Sequence, residues 1–87
     1  MMISVVLYPP FSHMAGLKKL SLPYVKGMTV KNVFENITDQ YPDLGVYFKP
    51  FESSRNVLVT IKGKMVLRES EIAENDEITL LSISGGG

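Results

Sequence analysis

One stretch of this chain carries an apolar stripe at helical period, and nearly everything around it alternates as strands do. Val30, Val33, Phe34, Ile37 and Tyr41 follow one another at spacings of 3, 1, 3 and 4. That places them on a single face of a helix. Lys31, Asn32, Glu35, Asn36 and Asp39 fall on the wet side. Thr29 stands at the N-cap position, where its hydroxyl can accept from a first-turn N–H. Met28 and Val33 occupy the staple positions that flank it. Pro42 stops the helix at or before Tyr41. A lone amphipathic helix must bury its stripe against something, and the flanking strands supply the surface.

The first strand runs from Met2 to Tyr8, with Ile3, Val5 and Leu7 on one face and Ser4, Val6 and Tyr8 on the other. Pro9-Pro10 ends it, because proline has no N–H for a ladder. Phe11 to Gly16 reads as a connection, and Leu17 to Tyr24 as a second strand that Pro23 puts at a sheet edge. Gly27 marks a turn before the helix. Asp43 to Ser54 reads as irregular, with Phe48 and Phe51 folding back onto the core or joining a contact surface. A strong strand follows from Asn56 to Lys62, then a turn at Lys62-Gly63-Lys64 and a short strand from Met65 to Leu67. Ser70 to Asp76 is polar, with room for one helical turn, and Asn75 suits a left-handed turn position. The last strand runs from Glu77 to Ser84, Ile78 and Leu80 facing one side and Thr79, Leu81 and Ile83 the other.

The order strand, strand, helix, strand, short strand, strand predicts an α+β chain. It has a mixed four- to five-stranded sheet with one main helix across one face, a β-grasp arrangement. The first two strands form a hairpin, and the helix returns the chain to a strand beside the first. Ile3, Val5, Phe34, Ile37, Val59 and Leu80 are the expected core. Residues 1–84 form one domain and 85–87 a flexible glycine tail. No linker, repeat or low-complexity stretch divides the 87 residues.

Composition excludes several classes of function. Nine Lys and Arg balance nine Asp and Glu, so the chain lacks the basic footprint of a nucleic-acid binder. It has no cysteine and a single histidine, His13. A disulfide scaffold, a thiolate zinc site, a cysteine nucleophile and a multi-histidine metal cluster are therefore all ruled out. No metal site is expected. No apolar run approaches the length of a membrane span, and no basic stretch leads into an apolar run at the start. A cytoplasmic protein is the expectation. No phosphate-binding glycine loop occurs, so any ATP would be bound by a partner.

The chain ends Gly85-Gly86-Gly87. At background glycine usage a given triplet is expected about 3 times in 10,000. A thin, flexible end of this kind can thread a narrow partner channel and present its α-carboxylate. A frayed terminus is the plain alternative. A second candidate lies on the sheet. Val6, Tyr8, Leu58, Leu81 and Ile83 share the face opposite the helix by alternation, and as a cluster they would form a docking patch. Scattered surface residues, or cover from the Asp43–Ser54 loop, are the alternatives. Lys62, Lys64 and Arg68 suggest either a steering surface for an acidic partner or a solvated turn. His13 reads as an ordinary exposed loop residue.

The chain resembles the ubiquitin-like sulfur carriers of the MoaD/ThiS type, over nearly its full length. The resemblance rests on "ISVVLYPPF", "GMTVKNVFENITDQYP", "ENDEITLL" and the terminal "GG". The length and the Asp43–Ser54 connection are more similar to the MoaD branch, the small subunit of molybdopterin synthase. Departures stand at "VTIKGK", where the branch carries an asparagine, and at "SIS", where it carries a proline pair. Asn75 replaces a glycine, and the tail has three glycines where the family signature is two. These bear on pathway and partner, not on fold.

The resemblance implies that an E1-like activating enzyme of the MoeB/ThiF type adenylates the Gly87 carboxylate with ATP. A sulfur donor then displaces AMP to leave a thiocarboxylate, and the sulfur goes to a molybdopterin precursor held by a larger MoaE-type subunit. Gly85 and Gly86 would thread the partner's channel. The carrier itself would bind no cofactor and hold no catalytic machinery of its own. Sulfur delivery to tRNA or to thiamine synthesis, conjugation to lysines, and a non-carrier β-grasp interaction module are the other readings.

Overall fold

The computed structural model describes residues 1–48 and 57–82. Strands β1 (Met2–Leu7), β2 (Lys19–Pro23), β3 (Val57–Ile61), β4 (Lys64–Met65) and β5 (Glu77–Ser82) form one sheet in the order β2-β1-β5-β3-β4. β1 and β5 are parallel; the β1–β2, β5–β3 and β3–β4 pairs are antiparallel. The main helix, α2 (Val30–Gln40), lies across one face. The fold is the ubiquitin-like β-grasp that the element order predicts.

One feature of the expected topology is corrected. The strand after the helix does not lie beside the first. β5 stands between them, with Val5 opposite Ile78 on one side and Ile61 opposite Ile78 on the other. Alternation assigns each residue a face but says nothing about lateral neighbours. The central position goes to β5, whose Ile78 and Leu80 are completely buried.

α2 begins as Thr29 predicts. The Thr29 N–H donates to Asn32 Oδ1 at 2.9 Å, the backward arm of a capping box. Its hydroxyl donates to the same oxygen at 3.2 Å. Val30, Val33, Phe34 and Ile37 are buried against the sheet, and Tyr41, just past the helix, packs at the margin. Ile3, Val5, Val59 and Leu80 complete the expected core.

Three segments hold more structure than their composition suggests. Phe11 to Ala15 is a short helix, α1, rather than a plain connection, entered through a cis Pro9-Pro10 bond and closed by Gly16 at φ 77°. Buried Phe11 anchors it by meeting Phe48 and Tyr47 at 5.7 and 5.6 Å. Pro42–Leu44 is a 3₁₀ turn, and Gly45–Phe48 is one turn of helix, α3. Phe48 does fold back onto the core and stacks on Phe34; Phe51 lies outside the described residues. The polar stretch before β5 holds turns rather than a helical turn, tied to the start of α2 by a bridge between Thr29 and Glu71. Its Ile72 is a core residue, held by an N–H to Met28 C=O bond of 3.0 Å. Asn75 takes φ 70°, the left-handed position where asparagine stands in for glycine. The short strand ends at Met65, before Leu67.

Candidate functional site

Register places the residues of the sheet face opposite α2 in rows. Nearest the end of β5, Leu58 stands opposite Leu81. Tyr8 continues the same row, because β1 and β5 run parallel with Leu7 opposite Leu80 and the Tyr8 N–H donates to Leu80 C=O at 3.2 Å. The next row reads Lys19, Val6, Thr79, Thr60, Met65. The far row is polar: Ser21, Ser4, Glu77. The apolar half of this face therefore lies at the end where β5 runs on toward the glycines.

Val6, Tyr8, Leu58 and Leu81 are thus brought together. Val6, Leu58 and Leu81 are half-buried, and Tyr8 is 49% exposed. Ile83 and the glycines Gly85, Gly86 and Gly87 lie outside the described residues. Met65, 73% exposed and opposite Thr60, extends the patch to the β4 edge. Sequence reasoning missed it because a two-residue strand is too short to show alternation. Its hairpin turn, with Lys62 and Gly63 at φ 55° and 80°, was the signal that could have fixed its register.

The electrostatics are quiet. Lys19 and Glu77 form an exposed ion pair at 3.1 Å on this face. Such pairs contribute about 0–1 kcal/mol. Lys62 and Lys64 are exposed at the turn. Arg68 does not join them. Its guanidinium sits 4.9 Å from the Phe34 ring centroid, and Nη2 donates to Val57 C=O at 2.8 Å. Burial pushes it below the usual arginine range, and neighbouring Glu69 partly offsets this. It is a half-buried strut beneath the helix, not a steering charge. His13 is exposed on α1.

Among the described residues no three His, Cys, Asp or Glu gather as a metal site would require, and no helix is long and apolar enough to cross a membrane. What the described surface presents is an apolar row on a rigid sheet, aligned with the strand that leads into the glycine-rich end. That arrangement suits docking to another protein.

The sequence model of the ThiS family matches residues 15–87. Among solved structures, the small archaeal modifier protein SAMP1 of Haloferax volcanii superimposes with a TM-score of 0.85 at 18% identity, covering 100% of both chains. SAMP1 of Methanosarcina acetivorans gives a TM-score of 0.80 at 26% identity, over 99% of this chain and 96% of that one. A putative molybdopterin converting factor subunit 1 from Pyrococcus furiosus gives 0.81 at 15% identity, over 94% and 97%. No curated protein sequence matches the chain.

Proposed function

The chain belongs to the ThiS family of ubiquitin-like proteins, and on that footing we propose that it is a sulfur carrier working through its last glycine in molybdopterin synthesis. The observation that carries the reading is the apolar row Tyr8–Leu81–Leu58 on the open sheet face, at the end of β5 that leads to Gly85-Gly86-Gly87.

A carboxylate is a weak electrophile with a poor leaving group. In the proposed cycle an E1-like enzyme binds the open face and attacks ATP with the Gly87 carboxylate. Acyl-adenylate forms and pyrophosphate leaves. Sulfide released by a sulfur donor adds to the acyl carbon as hydrosulfide, AMP departs with no change of oxidation state, and a thiocarboxylate remains. Its sulfur is a better nucleophile than the oxygen it replaced, and a MoaE-type large subunit directs it to the molybdopterin precursor. No base or metal of this chain takes part in the scheme. The chain supplies a rigid docking face and a narrow end. From Ser82 the sequence has five more residues, a reach of at most about 18 Å when extended. Activation in this scheme takes place in the cytoplasm, where ATP and the activating enzyme are found together.

A second reading, protein modification through the same activated end, is favoured by the likeness to SAMP1 of Methanosarcina acetivorans. Intact mass of the protein purified from its own host separates the two. Exchange of one oxygen for sulfur at the terminus supports the carrier. A Gly-Gly remnant on lysines of other proteins supports the modifier. Absence of both contradicts activation altogether.

A further inference from the structure

The β1–β2 connection builds a feature that the apolar row does not account for. The chain leaves β1 at Tyr8, turns through the prolines into α1, and returns through Gly16 to β2. Between these legs lies an open groove of about 470 Å³, lined by Val6, Tyr8, Pro9, Ser12, His13 and Lys18. A shallower hollow of about 300 Å³ continues it past Ser12, His13 and Lys18 to Gly16 and Leu17. Tyr8 also belongs to the apolar row and Val6 to the row beside it, so the groove opens directly onto them.

The groove has two chemistries. One wall is apolar: Val6, the Tyr8 ring and Pro9. The other carries the Lys18 ammonium and the His13 imidazole, both on exposed residues and without a hydrogen-bond or ion-pair partner among the described residues. No carboxylate lines it. Glu77 is the single carboxylate that register places on the described open face. It sits in the far row and is held by Lys19.

We propose that this groove is a docking subsite for an acidic–apolar segment of the activating enzyme. An apolar side chain would lie on Val6, Tyr8 and Pro9, with a carboxylate beside it on Lys18 and His13. Two observations select a protein segment over a polyanion. The apolar wall would go unused by phosphates, and the chain's net charge of zero offers no wider basic field. The inference rests on the carrier reading and adds to it the chemistry of the partner's contact.

The test measures binding of the full-length chain to the E1-like enzyme of the same genome, at low and high salt, alongside thiocarboxylate formation at saturating enzyme. Lys18 is exposed, so Lys18→Glu and Lys18→Gln should fold with an unchanged thermal midpoint. Lys18→Glu should weaken binding about tenfold at low salt, as reversal of an interfacial charge does. The loss should shrink at about 1 M salt, where the screening length falls to about 3 Å. Lys18→Arg, which keeps the charge, and Lys26→Glu, which makes the same net change on the turn before α2, should bind like wild type. Lys18→Glu binding as tightly as wild type, or Lys26→Glu losing as much, would overturn the groove while leaving the carrier reading in place. Failure of the wild-type chain to form any thiocarboxylate would overturn the carrier reading and the subsite with it.

Discussion

Truncating Phe34 to alanine probes the contact on which the helix, the loop after it and the sheet all meet. The ring is completely buried. Phe48 from α3 stacks on one side of it at 4.8 Å and 16°. The Arg68 guanidinium lies 4.9 Å from its centroid. Loss of a buried phenylalanine costs about 3–5 kcal/mol in transfer and cavity terms. A domain of 87 residues has roughly 4–13 kcal/mol in all, so the variant should lose between about a quarter and all of its stability. Urea unfolding followed by circular dichroism measures the difference. Phe34→Leu and Arg68→Met, singly and together, then isolate the cation–π part. Both Arg68 variants lose the bond to Val57 C=O, so that loss cancels in the cycle. The remaining coupling should be about 0.5–2 kcal/mol. A cost for Phe34→Ala below about 1 kcal/mol, the level of an average substitution, would refute the placement of this ring at the centre. A coupling of zero would refute the cation–π contact between Arg68 and Phe34.

Other expectations follow from single contacts. Gly45→Ala should destabilise by about 1–3 kcal/mol, because the new methyl would stand 2.7 Å from Thr38 Cγ2; Thr38→Ser, which removes that methyl, should recover most of the loss in the same unfolding assay. Asn75→Ala should cost about 1–2 kcal/mol for its left-handed backbone while Asn75→Gly costs nothing, and equal midpoints for the two would contradict the turn. Leu81→Asp should keep the fold, since Leu81 is on the open face, and weaken association with the activating enzyme or the large subunit by burying an unpaired charge; unchanged affinity for both removes it from the docking row. Glu77→Gln should shift stability by less than about 1 kcal/mol, both side chains of its pair being 57% exposed.

The sequence was most legible where one periodicity ran long enough to exclude the other. The Val30–Tyr41 stripe located α2 and its buried face, and alternation in β1, β3 and β5 separated Ile3, Val5, Val59 and Leu80 from Val6, Tyr8, Leu58 and Leu81. It failed where elements are shorter than their own period. α1 and α3 have five and four residues, too few for a stripe, and are held by Phe11 and Phe48 meeting across the fold. Ile72 was hidden among charged neighbours because one apolar residue has no period at all. Beyond the β1–β2 hairpin, which was expected and is present, lateral strand order was not legible, since β5 reaches the centre by pairing with residues more than sixty positions earlier. Arg68 looks like surface charge in sequence; only the nearby Phe34 ring and the Val57 carbonyl make it structural.

The central claim is that the terminal glycines are the working site, and reconstituted activation tests it most directly. The full chain is incubated with its E1-like enzyme, ATP and a sulfur donor, and its intact mass is read beside three variants. Deleting Gly87 leaves a Gly-Gly end but retracts the carboxylate by about 3.3–3.6 Å, so activation should fall. Deleting Gly86 and Gly87 together should lower it further. Gly86→Ala should be nearly as harmful as that double deletion, because its methyl must pass the channel walls and the glycine-only conformations are lost. Thiocarboxylate should form on the wild-type chain and be strongly reduced in the last two variants. Thiocarboxylate forming at the native rate on both Gly86→Ala and the double deletion would contradict the role of the glycines, and no thiocarboxylate on the wild-type chain would leave it an interaction module with an inert end.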